Sequence, residues 1–228
     1  MTLHKPVDKS RWLTAQKAEV TYWHGQDILE KGLERVKERH VPIIECYAAA
    51  FPNDISILDI GCGPTCPAQF IEKGSKTYID PLLDQFRRAF PGALPQGEYI
   101  SDMAESIDKP DASFDLILCF NAFDYMLNPE LVINELERLL KPHGIFIVSV
   151  KTYSQIMARF RYLSEHFLTI FRDENHPYSY TLSGIRKTLL RHFEIIEEVR
   201  VGRKALAFPG SRSEWAFVCR HGKAGNQA

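Results

Sequence analysis

From Ile55 onward the chain alternates short β-rich runs with stretches of helical spacing, and no other feature narrows the choice of fold as much. The runs are ISILDI, KTYID, GEYIS, FDLILCF, GIFIVSV, FEIIEEVRV and EWAFVCR. Between them AQFIEKG, PLLDQFRRAF, ELVINELERLLKP and SGIRKTLLRHF repeat apolar residues at three- and four-residue steps. A strand that rejoins its sheet through a helix runs parallel to its predecessor, so the pattern implies crossover units. DLILCF and IFIVSV lack polar alternation, which suits central strands covered on both faces.

The expected fold is α/β: a Rossmann-like three-layer αβα sandwich around a mostly parallel seven-stranded sheet, with an N-terminal helical appendage. Residues 1–53 read as a helical cap or lid, with Ile28, Leu33 and Val36 and then Ile43, Ile44 and Tyr47 at helical steps. Residues 54–221 read as one domain with a helical insertion at about 151–181, where Ile156, Phe160, Leu163, Phe167 and Phe171 form a stripe. Residues 222–228 read as a disordered tail.

At 228 residues and 45% hydrophobic composition, one substantial core is available. Lys and Arg number 28 against 29 acids, a balance that offers no general attraction to nucleic acid, so RFRYL and IRKTLLRH read as solvated helix faces. No apolar run approaches a membrane span of about 20 residues, and the N-terminus lacks the apolar core of a signal peptide. Five cysteines, an odd and scattered set, fit a reducing compartment, and a cytoplasmic location is expected.

The first strand runs into ILDIGCGPTCP. Gly61 and Gly63 can turn the chain without side-chain obstruction, leaving backbone for a ligand to approach, and Pro67 suits a first helical turn. Cys66 stands where a G-x-G-x-x-G fingerprint needs its third glycine, which weakens a nicotinamide or flavin reading. About twenty residues on, the second strand ends in Asp80, where an acid can accept hydrogen bonds from ribose hydroxyls. Cys62 and Cys66 have no second Cys or His pair nearby, so they read as small fillers and no metal is expected.

With ILDIGCGPT, TYIDPLLDQF, YISDMAESI, SFDLILCFNAFDYMLNPELVINELERLLKPHGIFIVSV and SGIRKTLLRHFEIIEEV in that order, the sequence resembles the class I S-adenosylmethionine-dependent methyltransferases of the type 11 domain group. The resemblance spans about residues 55–220 and says little about substrate. It implies S-adenosylmethionine as cofactor and methyl transfer to a small-molecule acceptor at O or N. It also implies that Gly61, Cys62 and Gly63 wrap the amino-acid end of the cofactor, with Asp59 organising that turn and the cofactor's ammonium group. Asp80 would bind the ribose, Pro81 and Leu82 would lie against the adenine, and Asp102 with the Met103 amide would read its edge. Phe120, Asn121 and Ala122 would line the sulfonium region. Relatives often carry histidine where this chain has Asp124, and glycine where it has His143.

The resemblance also favours an N-terminal lid, with Tyr22 and Trp23 folding over the site. Tyr125 and Tyr178 are candidate substrate or lid residues. Asp124, His24 and His176 are candidate proton acceptors, each with an ordinary structural or solvated alternative. Two other readings stay open: a nicotinamide-dependent oxidoreductase on a related sheet, and a non-catalytic module that binds the cofactor.

Overall fold

In a computed structural model, residues 7–25, 27–157, 177–202 and 212–222 are described. Three helices come first: α1 (Lys9–Trp23), α2 (Ile28–Arg39) and α3 (Val41–Ala48). Asp8 caps α1 by accepting from the Ser10 amide. Pro42 falls in the first turn of α3, where its missing N–H costs nothing, and the chain bends at His40, which ends α2 and begins α3.

The strands are β1 (Ser56–Ile60), β2 (Ser75–Ile79), β3 (Glu98–Ile100), β4 (Phe114–Phe120), β5 (Leu140–Tyr153), β6 (Tyr180–Thr181), β7 (Phe193–Val201) and β8 (Ser213–His221). All seven expected strands form, and β6 is an eighth that two-residue length hid from the sequence. The order is β3-β2-β1-β4-β5-β8-β7, with β6 beside the end of β5. Every pairing is parallel except those of β8, which runs antiparallel between β5 and β7.

One face of the sheet, including Leu58, Ile60, Ile117, Phe146 and Val148, packs on α5 (Pro129–Leu139) and α6 (Leu182–Leu189). Asn128 and Thr181 cap these helices by accepting from the Glu130 and Gly184 amides. The other face, including Ile57, Tyr78, Leu116, Leu118 and Ile147, packs on α3 and on Leu83 of α4 (Leu83–Ala89). The helix expected over AQFIEKG is only a 3-10 turn at Pro67–Phe70. Cys66 before it adopts φ 40°, and Gly74 at φ 80° leads into β2. Ile44 and Ala48 of α3 join the core on this face, close to the short turn.

Phe160, Leu163, Phe167, Phe171 and His176 lie outside the described residues. No helix among the described residues is long and apolar enough to cross a membrane. All five cysteines are free, and no group of metal-ligating side chains occurs among the described residues.

Candidate active site

The carboxyl ends of β1 through β5 open onto a cavity of about 510 Å³, within the usual range for small-molecule sites. Its floor is the turn after β1. Gly61 and Gly63 have φ of 59° and 54°, the left-handed region that glycine enters without strain. The Gly61 amide donates to the Ile79 carbonyl (2.8 Å), tying the turn to β2.

Asp80 braces the same turn. Its Oδ2 accepts from the Gly63 amide (3.0 Å) and its Oδ1 from the Leu82 amide (2.8 Å). A carboxylate has about four lone-pair positions, so two remain for a ligand. Burial pushes the Asp80 carboxyl up to about 6, and the two amides pull it back.

Asp59, expected also to meet the cofactor's ammonium group, lies fully buried beneath the turn and outside the cavity wall. Its Oδ2 accepts from the Ala68 amide (2.7 Å), which anchors the 3-10 turn, while Oδ1 has no hydrogen bond. Burial raises its carboxyl to about 8. Cys62 lines the cavity and Cys66 is buried behind it; burial, then the neighbouring thiol, hold the Cys62 thiol well above its ordinary value. An inert thiol is a poor redox centre.

The other residues expected at the cofactor border the same cavity. Pro81, Leu82, Asp102, Met103, Phe120, Asn121 and Ala122 all line the cavity. The Met103 amide donates to Asp102 Oδ1 (2.7 Å), so the amide is already engaged while Oδ2 is left to accept from a ligand.

Helix α1 supplies the roof. Trp12, Gln16, Glu19 and Trp23 line the cavity at helical spacing, so one face of α1 looks onto it, with Tyr22 beside them. The Trp12 indole donates to the Tyr125 carbonyl (3.0 Å), pinning α1 to the segment after β4. The Trp23 indole donates to Glu19 Oε1 (2.8 Å) and meets the Phe86 ring edge-on at 6.5 Å. Gly32 of α2 makes room for it: a Cβ there would lie 2.9 Å from the Trp23 ring and 3.0 Å from the Thr65 methyl. Gly32→Ala is expected to displace Trp23 and to cost about 1–3 kcal/mol through overpacking. Tryptophan emission and a denaturation midpoint check this; an unchanged spectrum and midpoint would contradict the packing.

Three candidates stand off the cavity wall. His24 is exposed at the end of α1, where Nδ1 donates to the Val20 carbonyl (2.5 Å). Asp124 is buried but does not line the cavity. Tyr178 accepts from the Val7 amide and donates to the Leu127 carbonyl, both at 3.0 Å, and so fastens the entry to α1. Tyr125 does line the cavity.

Sequence reasoning missed a polar cluster on the far wall. Glu214 of β8 is buried, yet its Oε1 accepts from His40 Nε2 (2.7 Å), Asn121 Nδ2 (2.7 Å) and Ser149 Oγ (2.9 Å). The His40 ring stacks on Phe120 at 4.5 Å. Burial opposes ionisation of Glu214, but those donors hold its carboxyl at about 2. The signals were present, in a histidine at the RHVP joint between two helical patterns and an acid inside an apolar strand.

Antiparallel β8 set between β5 and β7 distinguishes this sheet from the all-parallel order of the dinucleotide-binding fold. A family model described as a methyltransferase domain matches residues 58–148. The chain also superimposes on a 1,6-didemethyltoxoflavin-N1-methyltransferase of Burkholderia thailandensis, solved with bound 1,6-didemethyltoxoflavin and S-adenosylhomocysteine. The TM-score is 0.64 at 16% identity, covering 97% of this chain and 92% of that one. The chain has the class I S-adenosylmethionine-dependent methyltransferase fold.

Among curated relatives, this chain is 25% identical over 183 residues to a ubiquinone biosynthesis O-methyltransferase of Rickettsia conorii, covering 75% of this chain and 62% of that protein. It is 30% identical over 100 residues to a sterol 24-C-methyltransferase of Gibberella zeae, covering 40% of this chain and 26% of that one. The match thus spans less than two thirds of either relative's length.

The cofactor of this fold is rich in donors: a ribose diol, an adenine amine and an ammonium group. The cavity wall offers acceptors to match, in Asp80, Asp102 Oδ2 and Asn121 Oδ1, the last buried without a partner. A Cβ built on Gly63 meets nothing within 4 Å, so backbone is bare where the amino-acid end would lie. The residues present fit the group.

Proposed function

We propose that this protein transfers a methyl group from S-adenosylmethionine to the oxygen or nitrogen of a small acceptor. The observation that carries the reading is the line of groups along successive strand ends, from Asp102 through Asp80 to the Gly61–Gly63 turn, all bordering one roofed cavity. Under it, Asp80 holds the ribose, Asp102 the adenine amine, and the glycine turn with Asn121 and Ala122 the sulfonium end. When bound, S-adenosylmethionine supplies a methyl group on a sulfonium, whose departure leaves a neutral thioether.

Little chemistry is then left for the protein beyond alignment and exclusion of water. Trp12, Tyr22 and Trp23 form a roof over the site, and their flat rings suit a small, partly aromatic acceptor. Balanced overall charge argues against nucleic acid as acceptor. A cytoplasmic setting belongs to the proposal, since all five cysteines are free.

Calorimetry with S-adenosylhomocysteine, followed by label transfer from methyl-labelled cofactor, tests this. Asp80→Ala is expected to weaken binding by about 1–3 kcal/mol through a lost buried hydrogen-bond pair. Affinity in the parent protein is expected to fall as pH drops below about 6, approaching tenfold per unit, because the ribose hydroxyls need the ionised carboxylate. Flat affinity through that range, or an Asp80→Ala variant that binds normally, would remove Asp80 from the site.

A further inference from the structure

The cavity has two ends, and strand order separates them. Asp102 and Asp80 follow β3 and β2 on one side of β1, while on the other Asn121 follows β4 and Lys151 and Glu214 belong to β5 and β8. All of them line the same cavity. With the nucleoside on the β2–β3 side and the sulfonium over β1 and β4, the β5–β8 wall meets whatever receives the methyl.

On that wall Glu214 is anchored on one oxygen and open on the other. Oε1 takes three donors, from His40, Asn121 and Ser149. Among the described residues Oε2 takes no hydrogen bond, and its ion-pair partner is the Arg39 guanidinium at 3.9 Å. A carboxylate fixed through one oxygen, with the second left to accept, is arranged to receive a donor from a ligand.

We propose that Glu214 is the acceptor-side residue of the reaction, its Oε2 receiving the hydrogen bond of the hydroxyl or amine that is methylated. His40, Asn121 and Ser149 are positioning residues that hold the carboxylate through Oε1. This rests on the methyl-transfer reading and narrows it to acceptors whose nucleophilic atom bears a proton.

The step balances without another reagent. The acceptor oxygen or nitrogen uses a lone pair to form the bond to the methyl carbon, the carbon–sulfur pair stays on sulfur, and the acceptor's proton passes to Glu214 Oε2 and then to solvent. An oxygen that has gained a methyl while keeping its proton is a very strong acid, so even a weakly basic carboxylate relieves it. For an amine, the same carboxylate orients the lone pair and steadies the positive charge as it develops.

The test uses the protein loaded with S-adenosylhomocysteine and three probes, catechol, 4-hydroxybenzoate and aniline, each beside its O- or N-methylated twin lacking the donor hydrogens. Tryptophan quenching and calorimetry read binding. At least one donor probe should bind roughly tenfold or more tighter than its twin, the scale of a hydrogen bond to a charged group. Glu214→Gln and, as a milder second variant, Ser149→Ala should shrink that ratio while S-adenosylhomocysteine binds as in the parent. Where label transfer to a donor probe is measurable, Glu214→Gln should lower kcat by roughly 100-fold with the KM for S-adenosylmethionine unchanged. If no donor probe outbinds its twin, or if Glu214→Gln weakens S-adenosylhomocysteine itself, Glu214 does not serve the acceptor. Failure of the parent protein to bind S-adenosylhomocysteine would instead strike the methyl-transfer reading.

Discussion

Gly61→Ala is expected to lose measurable S-adenosylhomocysteine binding and about 2–5 kcal/mol of folding stability, the sum of left-handed backbone strain and overpacking. The residue sits at φ 59°, and a Cβ there would stand 2.3 Å from the Ala122 Cβ, far inside van der Waals contact. Neither atom can rotate away, because each is fixed to backbone at a strand end. Relief has to come from parting the ends of β1 and β4, where the turn and the Asn121–Ala122 segment meet. Gly63→Ala is the contrast. Its φ is 54°, yet a Cβ meets nothing within 4 Å, so it should cost only about 1–2 kcal/mol of strain. That methyl would stand in the bare space and should still weaken binding. Adding Ala122→Gly to Gly61→Ala should restore much of the stability, since the next atom lies 3.6 Å away. Denaturant unfolding and calorimetry on the four proteins separate the effects. Equal stability losses at the two glycines, or no rescue by Ala122→Gly, would contradict the packing described.

This glycine turn was legible in the sequence because its chemistry is local. A strand, two small residues and an acid one strand later lie close along the chain, and parallel topology carries them to the same edge. The same locality made seven strands and the helices α4, α5 and α6 readable. The helix expected over AQFIEKG is a short turn on a sheet face that α3, about twenty residues upstream, also covers. Apolar spacing records that a segment wants cover but does not say what covers it.

The far wall was illegible for the same reason at longer range. His40 and Glu214 meet across 174 residues, and Asn121 reaches Glu214 across 93. Neither His40 nor Glu214 belongs to a motif. His24 and Asp124 attracted attention as polar residues near plausible catalytic segments, but helix phase and strand-end geometry carry them off the cavity wall. A polar residue's sequence neighbourhood predicted its place only where one turn or one crossover separated it from its partners.

Glu214→Leu is the other substitution expected to be severe, at about 3–5 kcal/mol, the usual cost of removing one member of a buried charged network. The loss arises from what remains. His40 Nε2, Asn121 Nδ2 and Ser149 Oγ all donate to one oxygen, and in the leucine variant three buried donors lose their acceptor. Glu214→Gln should cost less, because its carbonyl can still accept, though without charge. The parent protein should also carry a pH signature of this network. Glu214 titrates at about 2 in the folded chain against an ordinary 4.5. A depressed folded value means the contribution is complete above about 4.5 and is lost as pH falls from there through about 2, on the order of 3 kcal/mol. Asp59 works in the opposite direction, since its folded value is raised from 3.8 to about 8. Its contribution is complete below about 3.8 and is lost as pH rises through about 8, so the parent curve mixes both slopes. The difference in unfolding free energy between the parent and Glu214→Gln isolates the first. It should shrink as pH falls from about 4.5 towards 2. A difference that stays level down to pH 2 would mean that Glu214 does not draw its stabilisation from ionisation, and the three-donor anchor would have to be redrawn around a neutral acid.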